Sequence, residues 1–352
     1  MEELPETIPN LQRDLFWEGK TIFITGHTGF IGIWLSRYFL AQGARVFGFS
    51  DRTFGDREIL DEPGFEKQIE SYTGDICDVE KISDALTKAR PDYIFHAAAQ
   101  PIVGRAIENP KETLEINAIG TLNLLESVIK TPKVKAIIHL STFQCYQRSV
   151  YGEELTESDR IGIENPYAIS KCAAEGFVSY FRKTAFREKG IKATSVRLGS
   201  VIGKDDRQRE RLMPMIVASL KNDEEIIIHH PRAMRSWIHV MDVVSGLVAL
   251  AKAMGQNRTD DPIWNMGGCD GLSITVEDIV RKAIGLYGKG KYRLEQSREE
   301  HDRADIFKIS SKKAMTELDW RPRVSFEEMI AESLDNLTDE RIAGALRGLR
   351  PK

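Results

Sequence analysis

The chain has 352 residues, of which 41% are hydrophobic and 29% charged. That is the balance of a globular protein with a sizeable core and room for about two domains of roughly 150 residues. Lys and Arg number 49 against 53 Asp and Glu, and the net charge of -4 gives no electrostatic case for nucleic acid as the main partner.

In chain order, residues 1–19 form an acidic, polar N-terminal tail without the basic and apolar regions of a signal peptide. Thr21–Thr25 is a short, β-rich apolar run. A Gly-containing turn follows, then a helical pattern (Ile31, Leu35, Tyr38, Phe39) that reaches Gln42 and stops at Gly43. Strands are predicted at 45–49 and 68–73, a helix at Val79–Ala89, a strand at 93–97 and a long helix at 112–129. A strand at 134–140, a long helix at 167–188 and a strand at Lys192–Leu198 complete the alternation. Strands buried on both faces and separated by helices describe an α/β fold with a doubly wound, Rossmann-like parallel sheet, here over residues 20–200. After Val201, Pro214, Pro231, Pro262 and the Gly267-Gly268 pair interrupt the pattern, and mostly helical segments remain (240–254, 276–284, 311–318, 326–337). These define a smaller C-terminal substrate lobe over 201–340, with segments crossing between lobes, and a basic tail over 341–352. No run approaches the ~20 apolar residues of a membrane helix. Cys77, Cys145, Cys172 and Cys269 lie far apart with no CxxC pair, which argues against a disulfide framework or a metal site and fits a reducing cytoplasm.

The first chemical motif is Gly26-His27-Thr28-Gly29-Phe30-Ile31-Gly32, directly after a strand and before a helix. Glycines there permit a tight turn, and the helix N-terminus offers free N–H groups and a positive dipole end to a pyrophosphate. The second strand runs into Ser50-Asp51-Arg52. Asp51 suits the ribose 2′-hydroxyl of NAD, whereas Arg52 suits the 2′-phosphate of NADP; NAD is the first choice. Gly74-Asp75-Ile76 has the character of a turn receiving the adenine amino group, with an ordinary helix cap as the alternative.

Tyr167-Ala168-Ile169-Ser170-Lys171 places a phenol and an ammonium one helical turn apart on one face. A nearby Lys⁺ stabilises phenolate, so Tyr167 can exchange a proton with a sugar hydroxyl while hydride moves. Lys171 can also bond the nicotinamide ribose. The strand before this helix ends in Ser141-Thr142, and Thr142 supplies a hydroxyl to hold the substrate oxygen.

Together these motifs resemble the extended short-chain dehydrogenase/reductases that act on nucleotide sugars, and within them the CDP-glucose 4,6-dehydratases. The resemblance runs from about Trp17 to about Leu337. It rests on the glycine turn and on Ala97-Ala98-Ala99-Gln100-Pro101, Asn117, Arg211-Leu212-Met213-Pro214, Arg235-Ser236-Trp237-Ile238-His239-Val240 and Trp320-Arg321-Pro322. It implies that Ala97, Ala98, Ala99 and Asn117 line or support the cofactor and that Gln100, Phe143, Gln144, Ser200, Arg211, Arg235 and Arg303 face the substrate. Arg235 and Arg303 fall where the family places guanidinium groups on a nucleotide diphosphate. A homodimer paired through helices 112–129 and 167–188 is also implied; Leu122, Phe177, Tyr180 and Phe181 suit burial at that interface, and core packing explains them equally well.

The departures matter as much. Such dehydratases carry an acid and a Glu or Lys where this chain has Phe143 and Gln144, and Asn and Trp where it has Ser200 and Arg207. Phe143 cannot transfer a proton and Gln144 has no useful pKa. The expected activity is therefore oxidation of a nucleotide-sugar hydroxyl, at C4, to a keto sugar without 4,6-elimination, as in an epimerase or dehydrogenase. The alternatives are a dehydratase with Cys145, Tyr146 or Glu153 as substitute acid, and a silent cofactor-binding scaffold. CDP is the first choice of nucleotide, with GDP and UDP next. His27 reads as a turn residue, Cys172 as core, His229-His230 as a surface pair, and Met213, Met215 and Ile216 as a buried helix face.

Overall fold

The computed structural model describes residues 13–51, 68–147, 153–268, 274–295 and 306–334. Arg52, Cys269, Arg303 and the tail 341–352 lie outside the described residues. The first half runs β1 (Thr21–Thr25), α1 (Phe30–Ala41), β2 (Arg45–Ser50), β3 (Ile69–Thr73), α2 (Val79–Ala89), β4 (Tyr93–His96) and α3 (Val103–Glu108). Next come α4 (Pro110–Leu114), a π-helical turn (Glu115–Ile119), α5 (Gly120–Ile129) and β5 (Ala136–Thr142). A 3-10 turn (Phe143–Cys145), β6 (Glu154–Leu155), α6 (Pro166–Lys183), α7 (Ala185–Lys189) and β7 (Lys192–Leu198) follow. The remainder is β8 (Ser200–Ile202), α8 (Leu212–Lys221), β9 (Glu225–Ile228), β10 (Met234–Arg235), β11 (Trp237–His239), α9 (Val240–Gly255) and β12 (Ile263–Met266). It closes with α10 (Val276–Tyr287), β13 (Lys291–Leu294), β14 (Ile306–Ile309), α11 (Lys312–Glu317) and α12 (Phe326–Leu334).

Seven strands form one sheet in the order β12-β7-β5-β4-β1-β2-β3. The pairs β1–β2, β1–β4, β2–β3 and β4–β5 are parallel, so the fold is the expected Rossmann-like α/β sheet. Strand order reverses between β1 and β4, the place where open parallel sheets leave a crevice at their carboxyl ends. Apolar side chains on both faces make this possible: every residue of β1, β4 and β5 is buried.

The chain divides into two compact units. Residues 1–141, 163–196 and 247–264 make the first, and 142–162, 197–246 and 265–352 the second. Segments therefore pass between them, and β12, late in sequence, completes the first unit's sheet. The second unit holds β8 paired with β11, the short sheet β10-β14-β6 and the pair β13–β9. Its core joins Met213, Ile216 and Leu220 of α8 to Ile279 and Val280 of α10 and Met329 and Ile330 of α12. The Asp242 carboxylate accepts from Arg323 and Val324 N–H groups at 2.9 and 3.1 Å, fastening the chain that enters α12.

Several expectations need correction. The helix 112–129 begins at Pro110, where proline's missing N–H costs nothing, and is interrupted by the π turn. The helix 167–188 breaks at Thr184 into α6 and α7. Phe181 is a core residue rather than exposed, and Leu122 and Phe177 pack half-buried against that core; Cys172 is half-buried rather than core. The end of the N-terminal tail is packed: Trp17 is fully buried, its ring 4.7 to 5.1 Å from those of Phe16, Phe39 and Tyr93. Trp17→Ala should cost about 3–5 kcal/mol of stability, the usual range for emptying a buried aromatic site, read as a lowered urea midpoint.

Candidate active site

The glycine turn leaves β1 at its carboxyl end. Gly26 has φ +69°, and a Cβ there would lie 2.7 Å from Ala98 N; a Cβ on Gly32 would lie 2.1 Å from Gly26 O. Only glycine lets these backbones approach so closely. Gly29 caps α1 without a side-chain bond, so the first N–H groups of the helix, at Phe30, Ile31 and Gly32, have no intrahelical acceptor. Thr28 Oγ1 and Ser50 Oγ share a hydrogen bond of 2.8 Å that ties the turn to the end of β2, next to exposed Asp51. A close-packed glycine cradle with unpaired helix N–H groups fits a dinucleotide pyrophosphate. Asp75 takes part in a turn, where its Oδ1 accepts from Cys77 N–H at 2.8 Å, while Asp78 is the cap of α2. Burial first, then Asp75, pushes the Cys77 thiol up to about 12. Ile76 is buried. His27 is also buried, with Nε2 2.8 Å from Ser71 Oγ, so it fills the space behind the turn.

A directed line of hydrogen bonds starts at this turn. Ala98 N–H donates to Thr25 Oγ1 at 3.2 Å, and Thr25 Oγ1 lies 2.7 Å from His96 Nδ1. His96 Nε2 lies 2.8 Å from Thr121 Oγ1, which donates to Asn117 O at 2.6 Å. Because the Thr121 proton is used on Asn117, His96 must donate from Nε2 and accept at Nδ1. Burial first, then the Lys171 charge, takes the His96 pKa down to about 3, so the imidazole is neutral.

Asn117 sits in the π turn and is 1% exposed. Its amide accepts from Gln100 N–H at 2.8 Å and donates to Gln100 O and Ser170 Oγ at 3.0 and 2.9 Å. Asn117 thus supports the site from within rather than reaching a cofactor. Gln100 is likewise fully buried, its side chain spent on Ile102 and Thr113, so it does not present a group to a substrate. Ala97 and Ala99 beside Ala98 are half-buried.

Tyr167 and Lys171 lie in the first turns of α6, 9% and 3% exposed. Asn165 caps that helix by accepting from Ala168 N–H at 2.9 Å. Two residues of β5 bond two residues of α6: Lys171 Nζ donates to His139 Nε2 at 3.2 Å, and Ser141 Oγ donates to Glu175 Oε1 at 2.6 Å. Sequence reasoning missed His96, His139, Ser141 and Glu175. The signal was present: His139 and Ser141 are polar residues in a fully buried strand, and Glu175 continues the Tyr167–Lys171 spacing.

In the second unit, Thr142 Oγ1 accepts from Gln144 N–H at 3.2 Å. Phe143 is 6% exposed and packs with Tyr146, Leu155, Phe307 and Ile309. The Arg235 guanidinium carbon lies 6.0 and 5.5 Å from the Phe143 and Phe307 ring centres and lines a cleft with Glu154, Ser236 and Lys308. Phe143 therefore belongs to an aromatic cluster under Arg235 rather than facing a substrate directly. Tyr146 is fully buried; its hydroxyl donates to Asn265 Oδ1 at 2.7 Å, and burial pushes its pKa up to about 12. Cys145 is also fully buried. Ser200 bonds through its backbone to Ser236, and Arg211 pairs with Asp206 at 3.3 Å, at the start of α8. Among the described residues no cluster of three or more His, Cys, Asp or Glu could hold a metal ion, and no helix is long and apolar enough to cross a membrane.

Residues 22–267 match the NAD dependent epimerase/dehydratase family, and the chain belongs to that family, whose cofactor is NAD. It is 34% identical over 321 residues to a CDP-glucose 4,6-dehydratase of Salmonella typhimurium, covering 90% of this chain and 89% of that one. Among solved structures it is similar to UDP-glucose 4-epimerase of Thermotoga maritima with UDP-glucose (26% identity, TM-score 0.77, 94% and 99% of the two chains). It is equally similar to a dTDP-glucose 4,6-dehydratase of Streptomyces venezuelae with NAD bound (25% identity, TM-score 0.78, 93% and 98% of the two chains).

NAD at about a hundred times its dissociation constant should stabilise the protein by ~2.7 kcal/mol. Gly32→Ala should abolish that thermal shift, because its Cβ must displace the Gly26 carbonyl that shapes the cradle.

Proposed function

We propose that the chain interconverts nucleotide-diphosphate sugars by oxidation and reduction at C4, through a keto sugar and without 4,6-elimination. The observation that carries this reading is Phe143. The first residue after β5, where the related dehydratases hold an acid, is a buried phenyl ring packed against Phe307. NAD held at the glycine turn supplies the acceptor, and afterwards the donor, of the sugar's hydride. Thr142 holds the reacting hydroxyl, Tyr167 takes its proton and returns it, and Lys171 stabilises the phenolate. Arg235 and Arg211 meet the diphosphate, with CDP ranked first and GDP and UDP next.

A second reading, a 4,6-dehydratase, is favoured by the 34% identity to a protein of that name. It requires an acid other than Phe143 or Gln144. Tyr146 and Cys145 are enclosed in the protein, which leaves exposed Glu153 as its candidate. Incubation with CDP-, GDP-, UDP- and dTDP-hexoses separates the readings. A product isomeric with its substrate, by mass spectrometry and NMR, supports the first; a product lighter by one water supports the second; net NADH release indicates a dehydrogenase. Tyr167→Phe should lower turnover ~10²–10⁴-fold, the usual worth of a positioned acid–base group. No product from any of these sugars, with the protein's cellular role kept intact in Tyr167→Phe, would point instead to a scaffold.

We further propose a cytoplasmic homodimer paired through α4–α5 and α6. Ile119 (45% exposed), Ile169 (39%) and Tyr180 (63%) are large apolar side chains left on the surface of these helices. Sedimentation at micromolar concentration should give twice the chain mass, and Tyr180→Asp should reduce it to the monomer.

A further inference from the structure

We propose that His139 is a positioning residue for this site: its neutral imidazole accepts a hydrogen bond from Lys171 and anchors that ammonium on the Tyr167 face of α6. The inference rests on the reading of Tyr167 and Lys171 as a proton-exchanging pair.

His139 is fully buried in the middle of β5, between two strands, and both its ring nitrogens are used. Nε2 accepts from Lys171 Nζ at 3.2 Å, so Nδ1 carries the proton and donates to Ser195 Oγ of β7 at 3.0 Å. Ser195 thereby fixes the tautomer that leaves a lone pair for the lysine. The titratable groups facing this imidazole are Lys171 from α6 and His96 from β4, whose ring centre is 5.5 Å away. Burial first, then those two groups, hold the His139 pKa well below its ordinary value. A second positive charge is therefore kept out of a space that already contains an ammonium.

The choice of side chain has a physical reason. A buried ammonium without an acceptor is costly, so an apolar residue at 139 would leave Lys171 to seek a partner elsewhere. A carboxylate in the same place would hold Lys171 but offset the charge that stabilises a phenolate. A neutral imidazole anchors the ammonium and leaves its charge intact. It occupies one of three N–H donors and leaves two for other acceptors. The second bond from β5, Ser141 to Glu175, lies one helical turn further along α6 and fixes the same register between strand and helix. Lys171 and Tyr167 are thus placed by the sheet, not only by their spacing on the helix.

The test reads Tyr167 ionisation directly and needs no sugar. Nine tyrosines are present, so each protein is titrated by ultraviolet absorbance against its own Tyr167→Phe counterpart, and the difference isolates Tyr167. The midpoint in the parent should lie below the ordinary value of about 10 and rise in Lys171→Met. Gln places its amide oxygen where His139 has Nε2, whereas Asn can only imitate Nδ1. His139→Gln should therefore keep the parent midpoint, while His139→Asn and His139→Leu should raise it by about one pH unit, with native far-ultraviolet circular dichroism. If His139→Leu fails to fold, His139→Asn, which keeps the Ser195 bond, carries the measurement. A midpoint that moves in Lys171→Met but stays fixed in the Asn and Leu variants overturns the role of His139 and leaves the pair intact. A midpoint indifferent to Lys171→Met overturns the pair and the proposal together.

Discussion

The structure depends on a rule of proton bookkeeping among largely buried groups. From Ala98 N–H through Thr25, His96 and Thr121 to the Asn117 carbonyl, each group has one proton to give and one place to put it. Reversing a bond within the line leaves two donors or two acceptors facing each other, and a half-satisfied buried network costs more than an apolar core. This line fixes β1 to β4 and both to the π turn, and so fixes the loop after β4 where the backbone meets Gly26. The close approach of Gly26 to Ala98 is possible because Thr25 already holds Ala98 in place.

The π turn is the second consequence. One extra residue in a helical turn changes which side chains face inward, and such turns recur at functional sites. Here it lets Asn117 turn its amide toward Gln100 and Ser170 while its carbonyl accepts from Thr121. Ser170 in turn donates to the Tyr167 carbonyl at 2.8 Å. The polar network thus extends from the glycine turn to the first turn of α6 within one unit.

A different logic governs the segment after β5. Phe143 follows the strand directly and enters a cluster with Leu155 of β6 and Phe307 and Ile309 of β14. Its ring and that of Phe307 lie beneath the Arg235 guanidinium, a planar cation that stacks well on aromatic faces. Phe143 is used for packing, and the residues beside it, Cys145 and Tyr146, are enclosed as well.

Local chemistry was enough to place the main elements. Apolar patterning gave α2 and β7 their bounds, and the strand–turn–helix context identified the glycine cradle, because these depend only on neighbours in sequence. The Tyr167–Lys171 spacing was legible for the same reason. What the sequence left open depends on partners far along the chain. The two- and three-residue strands β6, β8, β10 and β11 exist only because distant segments supply their hydrogen bonds. Gln100 looked like a substrate contact until Asn117 and Thr113 occupied it. Phe181 suited an interface and the core equally until the structure placed it in the core. His139 was one polar letter in an apolar strand, and only the packing of β5, β7 and α6 gives its two nitrogens their partners. Periodicity records which face of an element is buried; the identity of the group waiting there is a property of the tertiary structure alone.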